Sequence, residues 1–104
     1  MTEERLQELL SAWPGAKVLR AGGEVRDGER AIVLGGHVVQ HGGEARYYDT
    51  ATGVQHGGDA DYHEHATGVQ HGGMADYHDR ATATFYGGEY EQWGDARVTD
   101  KRKG

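Results

Sequence analysis

Residues 51–65 read ATGVQHGGDADYHEH, and residues 66–80 repeat them as ATGVQHGGMADYHDR. The two stretches differ only at Asp59/Met74, Glu64/Asp79 and His65/Arg80. A tandem copy this close constrains the fold more than any composition does: each copy must take up the same structure and bury itself against its neighbour. The frame continues on both sides in altered form, as GHVVQHGGEARYYDT at 36–50 and ATATFYGGEYEQWGD at 81–95. Glycine pairs recur at 42–43, 57–58, 72–73 and 87–88. One step earlier, Val25, Gly28 and Ala31 precede Val39, Gly42 and Ala45 with one residue fewer between them. The frame thus predicts about five units.

Aligned copies form columns: Val39, Val54, Val69 and Thr84; Ala45, Ala60, Ala75 and Tyr90; Tyr47, Tyr62 and Tyr77; Ala51, Ala66, Ala81 and Ala96. Within a unit Ala60 alternates with Tyr62, and Thr52 with Val54, the period of a strand with one buried face. Each glycine pair supplies a turn where positive φ is tolerated. A second bend falls at His63-Glu64-His65-Ala66, which contains no glycine. An antiparallel meander would call for a glycine-type turn twice per unit. One such turn per unit favours a mainly β fold, a parallel β-solenoid of about five 15-residue coils with Ala and Val inside. An intertwined trimeric β-helix keeps the same columns and stays open at this level, as does the meander.

The segment Gly94-Asp95-Ala96-Arg97-Val98, and the alanines at 45, 51, 60, 66, 75, 81 and 96, resemble the small-residue, G-D-A-x-V-like β-solenoid repeats of bacterial and phage proteins. The resemblance covers about residues 36–98. It implies stacked coils with alanines inside and a structural or adhesive role on a virion or cell surface, and it implies no activity.

Ahead of the repeat, Leu6, Leu9, Leu10 and Trp13 fall at i, i+3, i+4 and i+7, one apolar stripe of a helix. Thr2 suits the N-cap, Glu3 and Glu4 the positive end, and Pro14-Gly15 the stop. A helix this short needs a surface to pack on. The division expected is a capping helix over 1–15, a β repeat domain over 16–98 and a basic tail over 99–104. The helix is expected to cap the first coil, with Tyr90 and Trp93 helping to close the other end.

The chain has no cysteine, so thiolate metal sites and a Cys nucleophile are ruled out. A formal net charge of −6 argues against general nucleic-acid binding. The charged N-terminus does not read as a signal peptide and no apolar run reaches membrane-spanning length, so synthesis in the cytoplasm without membrane association is expected. Ser11 lies in the predicted helix, and no phosphate loop or dinucleotide fingerprint occurs. The repeated carboxylates fall at positions expected to be exposed, and no enzyme is expected.

Seven histidines invite a metal reading. His41, His56 and His71 share one column; His63 and His78 share another beside Tyr48; and His65 completes an HxH with His63. Imidazoles stacked at strand spacing could share a divalent transition metal. Duplication of a solvent-facing histidine along with its unit accounts for the same regularity, and no other cofactor is expected. Stacked imidazolium charges would weaken the repeat in mild acid. Gly57-Gly58-Asp59-Ala60-Asp61 departs from the calcium-binding nonapeptide, which needs Gly at Ala60 and Asp at Tyr62. Tyr47, Tyr62, Tyr77, Tyr86 and Trp93 are expected to form an interaction surface. These features lead to an expectation of a non-catalytic structural or assembly protein acting as a homo-oligomer, a trimer among the options. With the resemblance, that becomes a phage virion accessory such as a capsid decoration or spike-like protein. The rival readings are a soluble module binding a glycan or protein partner, and a histidine-column metal binder.

Overall fold

The computed structural model describes residues 2–102. Met1 and the last two residues of the basic tail lie outside them. The described chain is one helix, α1 (Glu3–Ala12), followed by twelve short strands. They come two to a coil: β1 (Lys17–Leu19) and β2 (Gly23–Val25); β3 (Arg30–Val33) and β4 (His37–Gln40); β5 (Glu44–Tyr47) and β6 (Thr52–Gln55); β7 (Asp59–Tyr62) and β8 (Thr67–Gln70); β9 (Met74–Tyr77) and β10 (Thr82–Phe85); β11 (Glu89–Gln92) and β12 (Arg97–Asp100). Odd strands stack into one six-stranded sheet and even strands into a second. Every pairing is parallel. This is a parallel β-solenoid whose columns stack within one chain. It has six coils rather than the five expected, because β1 and β2 form a first coil whose sequence has drifted out of the frame. The last strand runs to Asp100, beyond the repeat boundary expected at 98.

The register holds the aligned columns together: Ala45, Ala60 and Ala75 are neighbours across β5, β7 and β9, as are Tyr47, Tyr62 and Tyr77. Both alanine columns are buried, as the alternation and the resemblance implied. Two parts of the inside–outside assignment are corrected. Val54 and Val69 face outward, while Gly53, Gln55, Gly68 and Gln70 face inward. Tyr47, Tyr62 and Tyr77 are fully buried and form no interaction surface.

One packing relation explains both corrections. The tyrosine rings stack at centroid separations of 4.5 and 4.8 Å, nearly parallel, and reach across the coil toward the opposite sheet. A Cβ on Gly53 would lie 2.5 Å from Tyr47 Cε2, and one on Gly68 would lie 2.9 Å from Tyr77 Cε1. Glycine is there because the tyrosine needs the space. Next to it, Gln40, Gln55 and Gln70 are buried because each carries hydrogen bonds that the coil would otherwise lack. Their Nε2 groups donate to the carbonyls of Asp59, Met74 and Glu89 in the next coil, each at 2.8 Å. Tyr47 and Tyr77 hydroxyls donate to Gln40 Oε1 and Gln70 Oε1 at 3.0 Å. In the middle coil the equivalent atoms, Tyr62 Oη and Gln55 Oε1, are buried and make no such bond to each other, and the Tyr62 hydroxyl has that of Tyr47 beside it.

The bend without glycine also has a physical account. Asp49, Glu64 and Asp79 occupy it with φ of 57°, 59° and 55°, and Gly94 takes the place in the next coil. An acidic side chain offsets that strain by capping its neighbour: Glu64 accepts from the Asp49 N–H at 3.2 Å, and Asp79 from the Glu64 N–H at 3.0 Å.

The helix does not cap the end of the solenoid. Leu6 and Trp13 are buried against Ile32 and Tyr48, with Leu9, Leu10, Val18 and Leu34 around them. Ile32 stands between inward-facing Ala31 and Val33, so α1 lies on the outer flank of β1, β3 and β5. The N-terminal end is closed instead by Lys17, which takes a place in the inward alanine column. Its ammonium donates to the Glu24 carbonyl at 2.7 Å and pairs with Glu29 at 3.2 Å. At the other end Tyr90 packs edge-on against Tyr77 and Phe85, and the Arg102 guanidinium lies 4.7 Å over the Phe85 ring. A charged side chain at each end disfavours edge-to-edge strand pairing.

Candidate functional site

With the ends plugged and the core filled, the chemistry-bearing side chains lie on the outer faces of the two sheets. In-register stacking turns each outward position into a straight ladder. His41, His56, His71 and Tyr86 form one along the second sheet, with successive centroids 6.0, 5.1 and 5.0 Å apart. Tyr48, His63, His78 and Trp93 form another beside the first sheet, at 4.9, 4.7 and 6.2 Å. Neighbouring rings in both lie within 16° of parallel.

That stacking bears directly on the metal reading. An imidazole lone pair lies in the ring plane, so rings stacked face to face direct theirs side by side and not toward a common point. His41, His56 and His71 stack in this way, and so do His63 and His78. His65 is exposed, and its place in the next coil is taken by Arg80. Of the six histidines singled out, His78 alone joins a converging group among the described residues, with Asp61 and Asp76. The sequence carried a signal for that group, the Asp-x-His spacing of Asp61/His63 repeated at Asp76/His78, but only the register shows that the two aspartates are neighbours.

The electrostatics of this flank follow from burial and from stacking like beside like. His63, sandwiched between Tyr48 and His78, is held down to about 4 by burial first and by His78 second. Asp61 is pushed up to about 6 by burial and by the carboxylate of Asp76 beside it. Arg46 works against that rise from 3.9 Å away, while its guanidinium also sits 4.4 Å over the Trp13 ring. Arg5 pairs with Glu64 and lies 5.4 Å over Tyr48, tying the helix to the same ladder.

The two faces differ in charge. On the first sheet β7, β9 and β11 turn outward Asp59, Asp61, Met74, Asp76, Glu89 and Glu91, five carboxylates and no basic side chain. On the second sheet β4, β6, β8 and β10 turn outward His37, Val39, Thr52, Val54, Thr67, Val69, Thr82 and Thr84, flanked by the His41–Tyr86 ladder. No carboxylate, lysine or arginine stands among them. Charges return only on the terminal strands, with Glu24 on β2 and Arg97 on β12.

Of the tyrosines and tryptophan expected at a surface, Tyr86 and Trp93 are half exposed, and both end a ladder. Shallow grooves run between neighbouring coils, such as the one between Asp59–Asp61 and Met74–Asp76. No described helix is long and apolar enough to cross a membrane. Comparisons with protein-family models, curated proteins and solved structures return no match.

Proposed function

We propose that this chain is a non-catalytic assembly protein whose working surface is the uncharged outer face of the second sheet, and that its first partner there is a second copy of itself. The observation that carries the reading is the segregation of charge. A chain of net charge −6 keeps one face of four strands free of carboxylates, lysines and arginines, and charge returns only at its two ends, with Glu24 and Arg97. A centre depleted of charge with a polar border is the anatomy of a protein interface. A twisted sheet face of identical columns is also self-complementary about a two-fold axis, the commonest symmetry of homo-oligomers. Thr and Val columns at strand spacing give a regular surface on which a second such face interdigitates.

The face is small. Four strands at about 4.8 Å and some five residues at about 3.3 Å make roughly 300 Å² per copy, below the standard interface. The association is therefore weak and depends on high local concentration, as on a repetitive assembly. The resemblance to phage and bacterial solenoid repeats suggests a decorating or spike-like element of a virion as that assembly, and this finer reading rests on the resemblance alone. Sedimentation equilibrium between about 10 μM and about 1 mM tests self-association. The mass is expected to rise from 11.3 kDa toward twice that value. A mass that stays at the monomer value throughout overturns the reading.

A further inference from the structure

The other face carries a different chemistry. Asp61 and Asp76 hold one outward column on β7 and β9. His78 stands two residues after Asp76, in phase with it, on the same side of the sheet. One ligand atom from each of the three lies within 4.8 Å of the others. We propose that Asp61, Asp76 and His78 form a binding site for a divalent first-row transition metal of the zinc class, with two carboxylate oxygens and one imidazole nitrogen as donors and water completing the shell.

Three features of the surroundings support the assignment. First, the donors converge from two adjacent columns, which rings stacked within one ladder do not do. A tetrahedral ion with bonds of about 2.0–2.2 Å holds its donors about 3.4 Å apart, within reach of side-chain rotation from the observed spacing. Second, the local charge calls for a cation. Asp76 stands between Asp61 and Glu91 in its column, and like charges side by side in a sheet repel. Arg46 lies on the opposite side of Asp61 from Asp76 and is engaged by the Trp13 ring. Third, the His78 ring is pre-oriented, stacked between His63 and Trp93. An imidazole donor selects against magnesium and calcium, which take oxygen ligands, and suits zinc, cobalt and nickel.

The test uses the full chain, produced without a histidine tag, stripped with a chelator and titrated with zinc chloride in a calorimeter at a concentration where it is monomeric. The outcome is thus independent of self-association. One zinc per chain is expected, unaffected by excess magnesium or calcium. Asp76→Asn and His78→Gln should each weaken binding at least ten-fold, whereas His71→Gln on the other ladder should leave it unchanged. Cobalt(II) should give a visible band in the wild-type chain that shifts in His78→Gln. If Asp76→Asn fails to fold by circular dichroism, Asp61→Asn provides the same reading. Absence of saturable binding overturns the proposal. So does binding lost in His71→Gln but kept in Asp76→Asn, which would move the metal to the His41–His56–His71 ladder.

Discussion

The two outer faces of this solenoid are built on the same coils and the same core, yet they solve the problem of exposure differently. The first sheet places Val18, Ile32 and Tyr48 outward at its N-terminal end and covers them with α1, leaving an acidic half bare. The second sheet places Thr, Val and His outward along four coils and covers none of them. The difference shows how little of a repeat's sequence its fold dictates. The inward columns are fixed by the Tyr–Gly–Gln–Ala packing, and the outward ones are free to become a helix dock, an acidic strip or a neutral plane.

The sharpest way to break this contrast is to remove a cover that one face needs and the other lacks. Trp13→Ala takes away a buried ring of the helix–sheet contact and the cation–π partner of Arg46. It should cost about 3 kcal/mol by chemical denaturation. Val54→Ala, on the uncovered face, should cost less than about 1 kcal/mol. Equal losses would mean that the second face is also covered in the isolated chain. Gly68→Ala tests the core both faces share. Its new methyl would press on Tyr62 and Tyr77, at an expected cost of about 1–3 kcal/mol. The coil of Tyr77 has Ala83 in that column, and the coil after it has Gln92 in place of the tyrosine.

Smaller effects separate the coils. Tyr77→Phe strands Gln70 Oε1 and should cost about 1–3 kcal/mol. Tyr62→Phe should cost less, since the Tyr62 hydroxyl makes no bond to Gln55 Oε1 and has only the Tyr47 hydroxyl beside it. Identical losses for the two variants in urea melts would contradict the hydrogen-bond assignment. The smallest effect is the pH response of the first face in metal-free buffer. The folded state holds His63 at about 4, so the unfolded chain binds more protons below about 6.5. Stability from this group is complete above that pH and falls as the pH drops toward 4. Asp61, raised to about 6, acts in the opposite sense between about 3.9 and 6. His63→Gln should therefore flatten the acid loss in melting temperature, and Asp61→Asn should deepen it.

The frame, the strand period, the helix and the buried alanine columns were legible because duplication writes each structural position several times. The assignment of faces was only half legible. The alternation that buries Ala60 also buries Tyr62, yet the aromatic column was expected at the surface, where a polar-tipped ring often sits. On the partner strand, apolarity pointed to Val54 as the inward residue. The core instead takes Gly53 and Gln55, since one makes room for a ring and the other supplies hydrogen bonds to the next coil. Neither reason shows in a hydropathy pattern. The ends were misjudged for a similar cause: Lys17 closes the first coil by the position it holds, which only the register reveals. The Asp61–Asp76–His78 group was half legible: the Asp-x-His spacing repeats with the frame, but its convergence shows only once β7 and β9 are paired.

Whether the uncharged face is a working surface can be decided by one comparison of mass in solution. Wild-type chain, Val54→Glu and Met74→Glu would be measured by sedimentation equilibrium at about 1 mM, Val54 standing on the neutral face and Met74 on the acidic one. Wild type and Met74→Glu are predicted to associate, while Val54→Glu stays at 11.3 kDa because its carboxylate would be buried unpaired. A wild-type chain that is monomeric at this concentration, or a Val54→Glu variant that associates as the wild type does, would contradict the account.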